Sequence, residues 1–494
     1  MTLDSDANLP GRPDPDAPAA EAAPAAEAAP AVVPEPAAEP APAVVPEPAA
    51  EPAPEHPNEP SRPLRVALFT DNYGPGHSGI LYAVQFLEGK ILEAGHRCLV
   101  VAPACDGPNP HRDHPARSEY RLHSIRIPAV PARLASGRGF EKALHDFAAD
   151  PPDVIHVHGL GAVGLLGVWA ARRTGVPLLV TWHTDFEAYA DHYRALTPFL
   201  DAWVRLLKLN TQWRDREAVL ALLRELKPFL RPRRGLSRRG LLNAAADMLR
   251  SADLVTTPSE KTALRVKELA PEAHVRVSPN GADALPPGND LSPAQGPRII
   301  YVGRIAPEKG IPLLLEAFEW VREEIPDAEL MVVGDWRRSP VLKQKLQRAR
   351  TRGGVTLVGQ VPREKLAPYY RSADVFAFPS QTDTQALVLH EAAHEGLPIV
   401  SVDPELRLVI DEGVNGLFAR PTPESFARAL VTMLRRLDDP AFRAAARARS
   451  REMASWWTID HQGREMIRFY GDLAAGRPIP ESMVAIPPDA DPAR

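Results

Sequence analysis

The sequence predicts an α/β protein of two doubly wound, parallel-sheet domains facing each other across a cleft, behind a disordered N-terminal tail. Three observations carry this. From Leu64 onward, short apolar runs alternate with longer helical patterns, as strands buried on both faces of a parallel sheet require. The alternation comes in two series, separated by a Pro/Gly-rich stretch at 284–297 (ALPPGNDLSPAQGP). The first 63 residues have a different composition altogether.

The tail, 1–63, is a low-complexity Pro/Ala/Glu tract in which Pro30–Ala41 recurs as Pro42–Ala53. It has too little apolar bulk to bury a core, and so many prolines favour extended, polyproline-like chain. It reads as a solvated spacer. It also carries most of the chain's charge imbalance. The tail holds 12 acidic and 2 basic residues against 51 and 56 in the remainder, so a chain of net charge −5 has a mildly basic folded part. That suits anionic small molecules or a membrane surface and falls short of a nucleic-acid binder.

Bulk numbers narrow the class. The 494 residues allow two or three domains, and 44% hydrophobic with 24% charged residues is ordinary for a soluble protein. No apolar run reaches the roughly 18 residues of a spanning helix. The N-terminal Met-Thr-Leu-Asp-Ser-Asp has neither a basic nor an apolar signal region. Two cysteines, Cys98 and Cys105, make neither a disulfide framework nor a zinc site. A reducing cytosol is the expected compartment.

The first domain is expected over 64–285. Its strands read at Arg65–Thr70, Arg97–Ala102, Asp153–His158, Pro177–Trp182, Asp253–Thr257 and His274–Ser278. A Gly-rich loop, Tyr73–Gly79, follows the first strand and leads into a helix to about Ala94. Within this domain 194–250 is a helical insertion with 13 Lys/Arg against 5 Asp/Glu, interleaved with Leu, Trp and Phe. Such a segment suits a membrane interface, and a helical hairpin packed on its own domain has the same periodicity. The second domain is expected over 296–455. Its strands read at Arg298–Gly303, Ala328–Gly334, Val355–Gly359, Ala373–Phe378 and Leu397–Val402. A helix at 456–475 is expected to cross back to the first domain, followed by a flexible tail at 476–494.

Chemistry concentrates where strands end. Residues 379–396 place Asp383 and Glu391 across a strand-to-helix junction, with the helix beginning near Leu387. A helix N-terminus there offers unpaired N–H groups and a positive dipole end, which suits a diphosphate. Carboxylates beside it can accept bonds from ribose and sugar hydroxyls. After the first strand of the second domain, Gly303–Gly310 sets Arg304 and Lys309 across a Pro/Gly turn. Two cations so placed can straddle a diphosphate, Arg as a fork and Lys as a point charge. In the first domain His156 and His158 end one strand, and Trp182–Tyr189 ends the next. The two histidines lack an evident third ligand for a metal, and Asp185 and Glu187 could orient an acceptor hydroxyl or cap a helix.

These motifs, in this order, resemble glycosyltransferase family 4 over roughly 64–470. The carriers are Gly-Arg-x-x-x-Glu-Lys-Gly at Gly303–Gly310 and Ser380-x-x-Asp383 with Glu391 eight residues on. The resemblance implies a GT-B fold of two Rossmann-like domains. It also implies a retaining, metal-independent hexosyltransferase with no cofactor beyond its nucleoside-diphosphate sugar. Arg304 and Lys309 would bind the donor diphosphate, Glu391 the ribose, and Asp383 the donor sugar. The backbone of Ala386 and Leu387 would meet the phosphates, and Gln360 would fall in the base-binding loop. The loop ending at Gly79, with Ser78 in place of the usual Asn, would approach donor and acceptor. His183 would bond the donor sugar near the reacting carbon. Catalysis would be a front-face, dissociative substitution in which His183, Asp383, Arg304 and Lys309 position the sugar and neutralise the leaving group.

Three departures narrow the resemblance. Asp383 stands where Glu is usual, and Thr384-Gln385-Ala386 where Gly-Phe-Gly is usual. Ala386 places a methyl group where Gly would permit positive φ. Thr-(Glu/Asp)-Thr-Gln is the form of the branch that makes glucosyl-diacylglycerols, near the phosphatidylinositol mannosyltransferases. That branch implies UDP-glucose as donor, a lipid acceptor such as diacylglycerol, and peripheral docking through 194–250 on an anionic inner membrane face. A small soluble acceptor, or a noncatalytic nucleotide-sugar scaffold, stays open at this level.

Overall fold

The computed structural model describes residues 62–74, 79–105, 109–126, 133–159, 161–183, 234–292, 294–336 and 340–487. The expectations for the tail, for Ser78, Asp185 and Glu187, and for most of the basic insertion lie outside them. His56–Arg494 make up one compact unit.

In the first half the strands are β1 (Arg65–Phe69), β2 (Arg97–Pro103), β3 (Arg117–Leu122), β4 (Ser124–Arg126), β5 (Arg133–Ala135), β6 (Val154–Val157), β7 (Leu178–Thr181), β8 (Leu254–Thr257) and β9 (Val275–Val277). The helices are α1 (Gly79–Glu93), α2 (Phe140–Ala149), α3 (Ala162–Thr174), α4 (Arg234–Arg250) and α5 (Glu260–Leu269). Seven of the strands form one parallel sheet, ordered β3-β2-β1-β6-β7-β8-β9. All six strands expected from sequence are present. The additions are β3, an edge strand reading RSEYRL, and the β4–β5 hairpin. An edge strand meets water on one side, so β3 lacks the apolar run that betrays its neighbours.

Both faces of this sheet are covered, which is why β1 is apolar at every position but its first. Ala67 and Phe69 pack with α2 and α3 on one face. Val66 and Leu68 pack with α1 on the other, together with Met466, Phe469 and Tyr470 from the far end of the chain. Alternation along the pleat divides one strand between two cores.

The second half repeats the plan. Its strands are β10 (Arg298–Val302), β11 (Glu329–Val333), β12 (Val355–Gly359), β13 (Val375–Phe378), β14 (Ile399–Ser401) and β15 (Gly416–Phe418). Its helices are α6 (Ile311–Glu324), α7 (Pro340–Arg352), α8 (Ala367–Arg371), α9 (Leu387–His394), α10 (Pro423–Arg436) and α11 (Pro440–Ser455). The sheet is parallel, ordered β12-β11-β10-β13-β14-β15. Ile299 and Tyr301 of β10 face α6 and α10, whereas Ile300 and Val302 face α8, α9 and α11. Of these strands only β15, three residues long, escaped the sequence pattern.

Each sheet has a switch point where the strand order reverses: between β1 and β6 in the first, and between β10 and β13 in the second. Ligands of open α/β sheets sit outside the carboxyl ends of the strands at such points. The Gly-rich loop, His158, Gly303–Gly310 and Pro379–Asp383 all leave the carboxyl ends of those four strands.

The chain then returns. Helix α12 (Ile459–Ala474) packs on α1, and its Tyr470 hydroxyl lies 2.7 Å from His156 Nδ1. The stretch after it, read from the sequence as flexible from 476, instead lines the first sheet as far as Ser482. Val277 N–H donates to Ser482 O (2.8 Å), and Ser482 N–H donates to Val275 O (3.1 Å). An unpaired β9 edge and a buried Ile479 side chain give this segment its place. Among the described residues no helix is long and apolar enough to cross a membrane.

Tyr470→Phe tests the return crossing. It leaves His156 Nδ1 buried without its partner, and thermal or denaturant unfolding should report a loss of about 1–3 kcal/mol. An unchanged midpoint would show that the crossing is held by apolar packing alone.

Candidate active site

At the second switch point two loops are stitched together. Ser380 and Thr382 hydroxyls donate to Glu308 O at 3.4 and 3.2 Å. Gly310, at φ 68°, approaches so closely that a Cβ would lie 2.1 Å from Pro379 O. Only glycine takes both that φ and that proximity without strain. The approach turns Lys309 inward, and its Nζ donates to Asp383 Oδ1 at 2.5 Å. Asp383 Oδ2 is buried with no hydrogen-bond partner. Burial pushes the Asp383 carboxyl up, but the Lys309 charge and hydrogen bond, with the Ser380 hydroxyl and Arg304 adding to them, hold it below the ordinary carboxylate range. The carboxylate therefore stays charged and offers one unused oxygen.

Arg304 points the other way. Its side chain is 61% exposed and pairs with Glu308 at 3.0 Å. The two cations thus divide, Lys309 inward on Asp383 and Arg304 outward at the mouth.

Helix α9 starts at Leu387 from Ala386, which has φ 62° and ψ 79°. Ala386 is the one non-glycine with positive φ among the described residues. The side chain the sequence put in doubt therefore keeps the left-handed turn that a glycine would adopt, at a cost of about 1–2 kcal/mol. Leu389 N–H bonds back to Ala386 O (2.9 Å), and the N–H groups of Leu387 and Val388, at the start of α9, have no intrahelical acceptors. Across the cleft Gly79 opens α1, and a Cβ on Gly79 would sit 3.9 Å from Leu387 Cδ1. The first residues of two helices are therefore near neighbours, and each N-terminus is a positive dipole end that suits an anion.

Glu391, one turn into α9, is buried and held at both oxygens. Arg363 Nε donates to Oε1 (2.7 Å) and the Tyr370 hydroxyl to Oε2 (3.0 Å). Each oxygen keeps a lone pair for a ribose hydroxyl. Gln360 is exposed just past β12, on the same carboxyl edge but apart from the buried cluster. Sequence reasoning missed Arg363. Its signal was weak, one cation in a surface-like Val-Pro-Arg-Glu-Lys run. Yet Arg363 also stacks over the Phe86 ring of α1, 5.3 Å from its centre, and so touches both halves of the molecule.

At the first switch point three histidines gather. His158 Nδ1 lies 3.1 Å from His183 Nε2, and the His156 and His158 rings are 3.8 Å apart. His156 is committed on both sides, to Tyr470 and to Thr181 Oγ1 at 2.6 Å. Burial pushes His183 down to about 4, and His156 and His158 well below the ordinary range. All three are neutral at pH 7. His158 thereby fixes one ring nitrogen of His183 and leaves Nδ1 for another partner. Among the described residues no three His, Cys, Asp or Glu side chains are grouped to hold a metal.

Asp71, at the end of β1, caps α3 from outside it. Its carboxylate accepts from Val163 N (3.1 Å) and Gly164 N (3.4 Å). Burial nevertheless pushes it up to about 6. It supports the loop beside the histidines and was not anticipated from sequence.

Two facing doubly wound sheets, with helix N-termini, a buried lysine–aspartate pair and a neutral histidine at their switch points, define a GT-B glycosyltransferase. Comparison with known proteins agrees. Residues 84–284 match the family model described as Glycosyltransferase Family 4, and 296–436 the one described as Glycosyl transferases group 1. The chain belongs to glycosyltransferase family 4. It is 26% identical over 380 residues to an alpha-monoglucosyldiacylglycerol synthase of Streptococcus pneumoniae, covering 72% of this chain and 74% of that one. To the synthase of the same name from Acholeplasma laidlawii it is 25% identical over 386 residues, covering 73% and 86%. In fold it is similar to the solved sucrose-phosphate synthase of Thermosynechococcus elongatus, with TM-score 0.61, 21% identity, and coverage of 84% of this chain and 100% of that one.

Two outcomes follow from the geometry. The folded-state carboxyl of Asp383 is held below its ordinary value of 3.8. Its stabilising contribution is therefore present above that pH and is lost as pH falls through the folded value. Lys309→Met removes the partner and should cost about 2 kcal/mol at pH 7. It should also flatten the acid limb of the stability curve, as read by urea unfolding between about pH 5 and 2. Ala386→Gly releases the left-handed strain and should be neutral to stabilising by up to about 1 kcal/mol; a clear loss of stability would contradict the strained turn.

Proposed function

We propose that this glycosyltransferase moves glucose from UDP-glucose to a lipid alcohol, diacylglycerol being the reference acceptor, with retention at the anomeric carbon and without a metal. The observation that supports it best is the similarity, over some 380 residues, to two glucosyldiacylglycerol synthases, joined to Thr382-Asp383-Thr384-Gln385 at the cleft.

In this reading the donor diphosphate lies between the N-termini of α1 and α9, against Gly79, Ala386 and Leu387. Arg304 and Lys309 meet the charge that builds on it as the sugar departs. Asp383, with its unused oxygen, and His183, with its free Nδ1, hold sugar hydroxyls. Glu391 takes the ribose, and Gln360 borders the base. Neutral His183 and a charged, lysine-bound Asp383 suit positioning better than proton transfer. The front-face course follows, with a diphosphate oxygen receiving the acceptor proton. The acceptor side is the first domain, whose basic segment 194–250 would bring it to an anionic inner membrane face.

A donor panel tests the reading. Purified protein is given UDP-glucose, UDP-galactose or GDP-mannose, with and without diacylglycerol in phosphatidylglycerol vesicles, and released nucleoside diphosphate is measured. UDP-glucose with lipid should turn over fastest and yield an α-glucosyl lipid by NMR. His183→Ala should then lower kcat by about 10- to 100-fold through lost positioning. Equal turnover on a water-soluble alcohol without vesicles would remove the lipid assignment. Absence of flotation with anionic vesicles, or flotation unchanged in the Arg231/Arg233/Arg234/Arg238/Arg239 charge-removal variant, would remove the membrane assignment.

A further inference from the structure

The loop that carries Asp383 belongs to the second domain, but most of its polar anchors lie in the first. Lys261 of α5, 7% exposed, donates to Gln381 O (2.8 Å) and to Asp403 Oδ2 (2.6 Å). Ser259 and Thr262 hydroxyls donate to Thr384 O, the latter at 3.3 Å. The Thr384 hydroxyl donates to His183 O at 2.9 Å. Gln385, 4% exposed, is saturated. Its Oε1 accepts from Asn280 N and Nδ2, both at 2.8 Å, and its Nε2 donates to Asn280 O at 2.8 Å. The same Nε2 lies 3.2 Å from His390 Nε2. Burial pushes His390 down to about 3, so it stays neutral and accepts.

Asn280 sits where the chain leaves the first domain, and that exit is tied down by hydrogen bonds. Gly281 N–H donates to Gln462 Oε1 (2.9 Å), and Ala282 N–H to Trp457 O (2.9 Å). His394, at the end of α9, lies 2.7 Å from Ala282 O. Both passages of the chain between the domains therefore meet at one point, and Gln385 grips that point directly.

We infer that Gln381–Gln385 is an interdomain clamp, and that Gln385 is a positioning residue that places Asp383 through its grip on Asn280. The inference rests on the reading of Asp383 as the sugar-binding carboxylate. Its consequence is specific. The two residues flanking Asp383 on its helix side are spent on the first domain, so Asp383 reaches its working place only while the domains are docked as seen. In the same reading most groups that would hold UDP itself, namely Arg304, Lys309, Glu391 and the N-terminus of α9, belong to the second domain, so UDP affinity depends on the docking less than the placing of Asp383 does. The departure from the common Gly-Phe pair at 384–385 thereby acquires a physical reason. A hydroxyl and an amide can span the cleft where the side chains of Gly and Phe can make no such bonds.

The experiment compares wild type with Gln385→Ala, Gln385→Glu, Thr384→Val, Asn280→Ala and Asp383→Asn. Steady-state turnover is measured with UDP-glucose and diacylglycerol vesicles, and UDP affinity by calorimetry. Gln385→Ala should lose about 10- to 100-fold in kcat, the size of effect that a misplaced reacting group produces, with UDP affinity within twofold of wild type. Asn280→Ala should lose less, and should add nothing in the Gln385→Ala background. Gln385→Glu keeps the acceptor but loses the donor, so its kcat relative to wild type should recover as pH falls and the carboxyl regains a proton. Thr384→Val, which deletes only a hydroxyl, serves if Gln385→Ala does not fold. The clamp is refuted if Asp383→Asn abolishes turnover while Gln385→Ala and Thr384→Val keep kcat within twofold. It is equally refuted if their UDP affinity falls in step with kcat. Unchanged turnover in Asp383→Asn would instead refute the sugar-site reading on which the clamp stands.

Discussion

One buried carboxylate organises this molecule. Asp383 lies at the base of the cleft with Lys309 against it, and much of the local architecture keeps those two groups in register. Gly310 lets the lysine loop press against Pro379. Ser380 and Thr382 bind the same loop by its Glu308 carbonyl. The left-handed Ala386 turns the chain into α9 immediately afterwards. An unpaired charge at such depth would be lost to protonation, so loop, lysine and helix must be placed together or not at all.

The parallel sheets explain why the parts can be so placed. Every strand of each main sheet ends on one edge, and the order reverses beside β1 and β10. Loops from β1, β6, β10 and β13 therefore splay apart and leave room at two switch points. Facing the switch points toward each other puts one helix N-terminus from each domain on the same space. The apolar cores contribute nothing chemical, but they hold these edges rigid. Division of β1 and β10 between two cores apiece ties each edge to helices on both faces.

Neutral and charged groups are sorted by the same burial. His156, His158 and His183 are too enclosed to carry a proton, and hydrogen bonds join them to one another and to Tyr470. On the other side Lys309 sits against the Asp383 carboxylate, which burial would otherwise drive neutral, and Arg363 donates to Glu391. The cleft so pairs a neutral hydrogen-bonding wall with a charged one. Such a division suits the proposed reaction, in which His183 and Asp383 hold the sugar from the two walls while Lys309 and Arg304 meet the growing diphosphate charge.

Much of this was legible in the sequence, and what was not has a physical cause. Parallel strands buried on both faces announce themselves as apolar runs, so both sheets and their order of elements could be read from Arg65–Thr70, Arg298–Gly303 and their successors. Strand β3 could not, because an edge strand with one wet side loses that pattern. Arg304, Lys309, Asp383 and Glu391 could be nominated because motif spacing after a strand is local. What spacing cannot report is direction: only the folded chain turns Lys309 inward onto Asp383 and Arg304 out to solvent. Nor can it report partners hundreds of residues away. Tyr470 against His156, Arg363 between Glu391 and Phe86, and Gln385 on Asn280 arise where separate elements are packed together, and no local pattern encodes them. The fold class, the two sheets and the loops that bear the chemistry are written locally in the chain, because periodicity and turn residues act over a few positions. The tertiary structure alone decided how those loops are aimed, charged and joined, because burial and long-range hydrogen bonds exist only once the two halves meet.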